Sequence, residues 1–115
     1  MLILYLGGYL ERQRFNVENA IGYFKSAARL SNDLRQFRIA CDYELGDCYW
    51  KLMNWDKSIE YFVAFHTANK TKSFRCFGAY QLGVSYCFND NETEARKWFI
   101  KSQKWSRKVS FQLLN

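Results

Sequence analysis

The chain reads as an all-α protein, a superhelix of three helical hairpins, and three observations predict this. The first is a recurring pattern. Tyr5, Gly8, Asn16 and Phe24 are followed 38 residues on by Tyr43, Gly46, Asn54 and Phe62, and a further 37 on by Tyr80, Gly83, Asn91 and Phe99. The internal spacing Tyr-x2-Gly-x7-Asn-x7-Phe never changes, and constant spacing at a fixed period marks a repeat protein. The second is that 115 residues contain no proline, which suits uninterrupted helices. The third is a composition of 49% hydrophobic and 19% aromatic residues. That is too apolar for disorder and enough to furnish the core of one domain.

The repeats are expected over about residues 2–32, 33–70 and 71–108, with a basic C-terminal tail over 105–115. In the first, helix A runs from about Leu2 to Arg14, the chain turns at Asn16, and helix B runs to about Leu30. The opening MLILYLGGYL carries no charge. It lacks the basic start of a signal peptide and falls well short of the ~20 residues that span a bilayer, so it reads as the first repeat helix. In each repeat the asparagine is placed to cap helix B through its side-chain oxygen. Glu94, three residues after Asn91, resembles a capping box. Glu18, Asp56, Glu92 and Glu94 add negative charge where a helix N-terminus favours it. Gly8, Gly46 and Gly83 each stand twelve residues before a small residue, Ala20, Ser58 and Ala95. A mid-helix glycine costs about 1 kcal/mol against alanine, so three placed alike predict a close contact between helices A and B.

Leu45, Gly46, Tyr49, Ser58 and Phe62, and again Leu82, Gly83, Tyr86, Ala95 and Phe99, resemble the tetratricopeptide repeat, with three or four residues beyond its usual 34. The surplus falls between helix B and the next helix A. The runs GYLERQRFNVENAI, RQFRIACDYELGDCYWKLMNWDKSIEYF and YQLGVSYCFNDNETEARKWF are together similar to tetratricopeptide repeat protein 39, a family with fungal relatives named for inclusion-body clearance. The similarity covers roughly Leu4 to Lys108 and implies the C-terminal repeat region of a longer protein. The family's Trp-Ser-Lys segment between the last two repeats is replaced here by ANKTKSFRCFGAY.

Little in the chain points to catalysis. His66 is the only histidine, and every glycine is expected inside a helix, which leaves no phosphate-binding loop. Cys41, Cys48, Cys76 and Cys87 form no CxxC pair and lie in apolar runs. They read as buried reduced thiols of a cytoplasmic protein, with no metal or other cofactor. In such a compartment the Asn-x-Thr triplets at Asn69 and Asn91 carry no glycan.

The resemblance implies that the A helices line a concave side. The positions in register there are Tyr5, Tyr9 and Arg12, then Tyr43, Asp47 and Trp50, then Tyr80, Val84 and Cys87. Chaperone-binding members of the superfamily hold a C-terminal carboxylate with lysine, asparagine and arginine. Those positions are Tyr5 and Tyr9, Glu44, and Phe77 with Gln81 here, so an apolar protein or peptide partner is expected instead, anchored by Tyr5, Tyr9, Tyr43, Asp47, Trp50, Tyr80 and Val84. The same aromatic stripe also reads as core, or as surface covered by further repeats.

The net charge is +6, and Lys97, Lys101, Lys104 and Lys108 recur at helical spacing along the last helix. Such a stripe is either the solvated face of a terminal helix or a binding face for an anionic membrane surface. Nucleic acid ranks below both, since no nucleic-acid module is recognised. Apolar ends such as Leu2, Leu4 and Phe111 predict self-association or instability of the isolated chain.

Overall fold

The computed structural model describes residues 1–31, 34–69 and 75–114, with side chains described to residue 106. Among these residues the chain forms six helices and no strand. They are α1 (Leu2–Gln13), α2 (Val17–Leu30), α3 (Arg35–Lys51), α4 (Trp55–Ala68), α5 (Ala79–Phe88) and α6 (Glu92–Leu114). They pack as the hairpins α1–α2, α3–α4 and α5–α6, joined through α2–α3 and α4–α5. This is the tetratricopeptide-like arrangement the repeat predicts.

Each hairpin closes on its glycine. A Cβ on Gly8 would lie 2.9 Å from the Phe24 ring, on Gly46 2.8 Å from Phe62, and on Gly83 2.7 Å from Phe99. The aromatic ring of helix B lies on the bare backbone of helix A, at a distance no side chain permits. The small residue twelve positions on sits beside this contact: the Ser58 hydroxyl reaches the Gly46 carbonyl at 3.4 Å. The glycine is therefore set by the phenylalanine first and the small residue second. Phe62 is approached by two glycines, since Gly78 also lies against its ring.

The turns share a device the sequence does not announce. Phe15, Met53 and Asp90 adopt positive φ at 65°, 58° and 61°, each just before the pattern asparagine. The asparagine N–H then donates to the carbonyl five residues back: Asn16 to Glu11, Asn54 to Tyr49 and Asn91 to Tyr86, at 2.8–2.9 Å. This left-handed closure satisfies the last carbonyls of helix A. The expected side-chain caps form at two of the three sites, where Asn54 accepts from the Lys57 N–H at 3.3 Å and Asn91 from the Glu94 N–H at 3.2 Å. Asn16 makes no such bond and donates to the Glu11 carboxylate instead.

Other expectations need correction. Gly78 is not inside a helix. It caps α5 from a turn at φ 77°, where glycine alone is unstrained. Cys76 lies in that same turn and Cys87 is exposed, whereas Cys41 and Cys48 are buried. The extra residues before the second repeat lengthen α3, which starts eight residues ahead of Tyr43, while α5 starts one ahead of Tyr80. Residues 70–74, part of the surplus before the third repeat, lie outside the described residues. The segment expected as a tail from residue 105 continues α6 without a break. The Lys108 and Phe111 side chains lie outside the described residues.

Candidate partner-binding groove

The A helices bring together two different surfaces. The first is a buried polar belt. Arg12 from α1 ion-pairs with Glu44 of α3 and approaches Asp47 at 3.2 Å. Asp47 also takes Lys51 at 2.5 Å and the Gln81 amide of α5 at 2.7 Å. The Tyr5 hydroxyl donates to Glu44 at 3.0 Å. The belt thus ties all three A helices together, and its two acids are only 8% exposed. Burial opposes the charge on Arg12, but Glu44 and then Asp47 outweigh it and its pKa is raised. Burial, reinforced by the Glu44 carboxylate, pushes the Tyr5 hydroxyl well up, so it remains a donor. Burial likewise holds the Cys41 thiol up at about 12 and the Cys48 thiol at about 11, which leaves both inert.

The second surface is an apolar cleft of about 330 Å³ beside this belt. It is lined by Tyr5 of α1, by Gln36, Ile39, Ala40, Tyr43 and Glu44 of α3, by Phe65 of α4, and by Asn69 and Phe77. Tyr5 stands edge-on to Phe24 and leans on Phe37, at ring distances of 5.4 and 5.2 Å. Tyr43 packs on Phe62, Phe65 and Phe77 at 5.4–6.1 Å. Tyr5 and Tyr43 are therefore propped by the buried rings of Phe24 and Phe62, and the cleft is preformed.

Of the residues expected to face a partner, the cleft unites Tyr5 and Tyr43. Asp47 belongs to the buried belt. Trp50 is partly buried, and its indole N–H has no acceptor among the described residues. Tyr9 is exposed beneath the Arg12 guanidinium, which lies 5.4 Å from its ring centre. Tyr80 is exposed with its ring 5.8 Å from Phe99. Val84 is partly buried. Ile39, Ala40 and Phe65 carry no anchor signal in the sequence, because only the fold brings helix A and the end of helix B around one hollow, whereas Phe77 stood at a groove position by register. Glu44 carried a usable signal: an ionisable residue between buried Cys41 and Leu45 demands a partner.

Two of the four lysines of the basic stripe, Lys97 and Lys101, have partners within the chain. Lys97 lies 3.9 Å from Glu94, and Arg96 pairs with Glu92 at 2.6 Å. The Lys101 ammonium sits over Trp98 at 4.5 Å and Trp105 at 5.9 Å, so lysine and tryptophans share one face. Lys104 is exposed. Among the described residues, no helix is long and apolar enough to cross a membrane.

His66 packs against Trp98 at 4.8 Å and Trp105 at 6.1 Å, and its Nε2 is buried without a hydrogen bond among the described residues. Burial first, and Lys101 second, lower its pKa from 6.5 to about 4. The folded state therefore resists protonation that the unfolded chain accepts. The stability this provides is complete above pH 6.5 and is lost as pH falls from 6.5 to 4, a span worth about 2–3 kcal/mol. Urea unfolding at about pH 7 and about pH 4.5 is expected to show a smaller acid loss for His66→Phe than for the unaltered chain. Equal losses would mean that His66 is not held neutral.

No solved structure matches the chain. The family described as Iml2/Tetratricopeptide repeat protein 39 matches residues 1–112, nearly the whole sequence. With the repeated Gly–Phe hairpins and the row of A helices already in place, the chain belongs to the Iml2/tetratricopeptide repeat protein 39 family.

Proposed function

We propose that the protein is a non-enzymatic adaptor that holds an apolar side chain of a partner protein in the cleft between α1 and α3. Membership in a tetratricopeptide-type family supports protein binding in general. The observation that carries the specific reading is the preformed 330 Å³ hollow lined by Tyr5, Ile39, Ala40, Tyr43, Phe65 and Phe77. Aromatic and aliphatic walls around one hollow suit a buried anchor residue. Tyr9 and Tyr80, both exposed on A helices, extend the contact beyond it. A cytoplasmic setting fits the reduced cysteines. Ala40→Trp tests this reading by filling the cleft, and is expected to weaken partner capture by at least about tenfold. Unchanged capture would refute it.

Binding of an anionic membrane through Lys97, Lys101, Lys104 and Lys108 has less support. Lys101 rests on two indole rings and Lys97 lies beside Glu94.

A further inference from the structure

A second hollow, of about 240 Å³, lies where α2, α3 and α4 meet, and it shares no residue with the cleft. Ala28 and Leu45 supply its apolar lining. Lys25 and Arg29 reach it from α2, Arg38 and Asp42 from α3, and Tyr61 from α4. Both hairpins that form it are in place, so it is a joint inside the array.

Register with the second joint shows why this one is open and basic. Lys25, Ala28, Arg29 and Tyr61 correspond in the next repeat to Val63, His66, Thr67 and Trp98. There the His66 ring packs on Trp98 at 4.8 Å. Here alanine stands at the position of that histidine, and the space is left as a hollow. Two cations likewise stand where the second joint has valine and threonine.

The charges around the hollow are not balanced. Lys25 and Arg29 are four apart on α2, where like charges repel. Neither forms an ion pair among the described residues. Asp42 is the one acid of the lining among the described residues. Burial pushes its pKa up, and Arg38, four residues before it, opposes that shift. Lys25 and Arg29 are then the surplus. The Lys25 ammonium is set over the Tyr49 ring at 5.6 Å, and Tyr49 stacks on Tyr61 with planes 8° apart. One cation is therefore positioned before any ligand arrives.

A compact anion fits this arrangement. Guanidinium groups bind phosphate through paired N–H donors, and an ammonium adds a point charge. A nucleic-acid backbone or a membrane surface calls for a row of cations. This lining holds three, with a carboxylate among them. We propose that the hollow receives the phosphate monoester of a phosphorylated side chain on a partner protein, with Arg29 and Lys25 as its main contacts.

The test is calorimetric titration of the whole chain at about 50 mM salt, where surface charges are weakly screened. The probes are an acetylated Ala-phosphoserine-Ala peptide and its unphosphorylated counterpart. The phosphopeptide is expected to bind with a Kd of about 0.1–1 mM, and the counterpart not at all. Arg29→Gln and Lys25→Gln are each expected to weaken binding by about tenfold. Arg14→Gln removes the same charge from the exposed α1–α2 turn and is expected to change nothing. Equal losses for Arg14→Gln and Arg29→Gln, or equal binding of both peptides, would overturn the proposal. So would a chain that binds inorganic phosphate alone. A chain that ignores the phosphopeptide and instead binds phosphatidylcholine vesicles doped with a phosphoinositide, through Arg29, would overturn it as well. None of these outcomes touches the cleft, since the two sites share no residue.

Discussion

Gly46→Ala is expected to lower Tm by about 10 °C, a loss of about 2–3 kcal/mol. The sign is the informative part, because alanine in an open helix is worth a gain of about 1 kcal/mol over glycine. The added methyl would stand 2.8 Å from the Phe62 ring. The ring has little room to move, since Gly78 approaches the same ring edge equally closely. Gly22 supplies the control. It lies exposed in α2, and a methyl added there would meet nothing within 4 Å, so Gly22→Ala is expected to raise Tm by about 3 °C. Thermal melts of the two variants side by side check both. If both stabilise, the glycine–phenylalanine contact does not constrain the fold.

Arg12→Met is expected to cost about 3–5 kcal/mol, the consequence of stranding the buried Glu44 carboxylate rather than of losing a favourable pair. Glu44 would keep the Tyr5 hydroxyl, and Asp47 would keep Lys51 and Gln81. Lys51 still supplies a cation to Asp47, whereas the Tyr5 hydroxyl supplies none to Glu44. Adding Glu44→Gln removes one stranded charge while retaining an acceptor for Tyr5. The double variant is therefore expected to be more stable than Arg12→Met alone. Denaturant unfolding of the two single variants and the double variant measures this coupling. Strict additivity would show that Arg12 and Glu44 act independently.

Much of the fold was legible because its closest contact is local and repeated. Glycine and phenylalanine sixteen apart can meet only if the chain reverses between them, and the asparagine marks where it does so. The left-handed residues before that asparagine were hidden, because Phe15, Met53 and Asp90 stand in no run that announces a positive φ. Closure of the helix by the asparagine N–H holds them there. The candidate site was half legible. Register predicted an inner side for Tyr5 and Tyr43, and both line the cleft, but it did not predict which other residues do. Asp47 looked like a groove residue and is consumed by contacts from α1 and α5, which depend on distances between repeats. Lys101 illustrates a different limit. Its spacing of three and four from Trp98 and Trp105 was visible, yet a stripe drawn through lysines alone separated it from the rings it rests on.

The central claim is that the repeated residues build the scaffold and the hollow between α1 and α3 receives the partner. The most direct measurement is the affinity of a partner captured by the unaltered chain, compared between that chain and Ala40→Trp, with melting temperatures of both recorded alongside. A melting temperature within about 3 °C and an affinity weakened by at least about tenfold are predicted. Equal affinity with the cleft filled would contradict the claim.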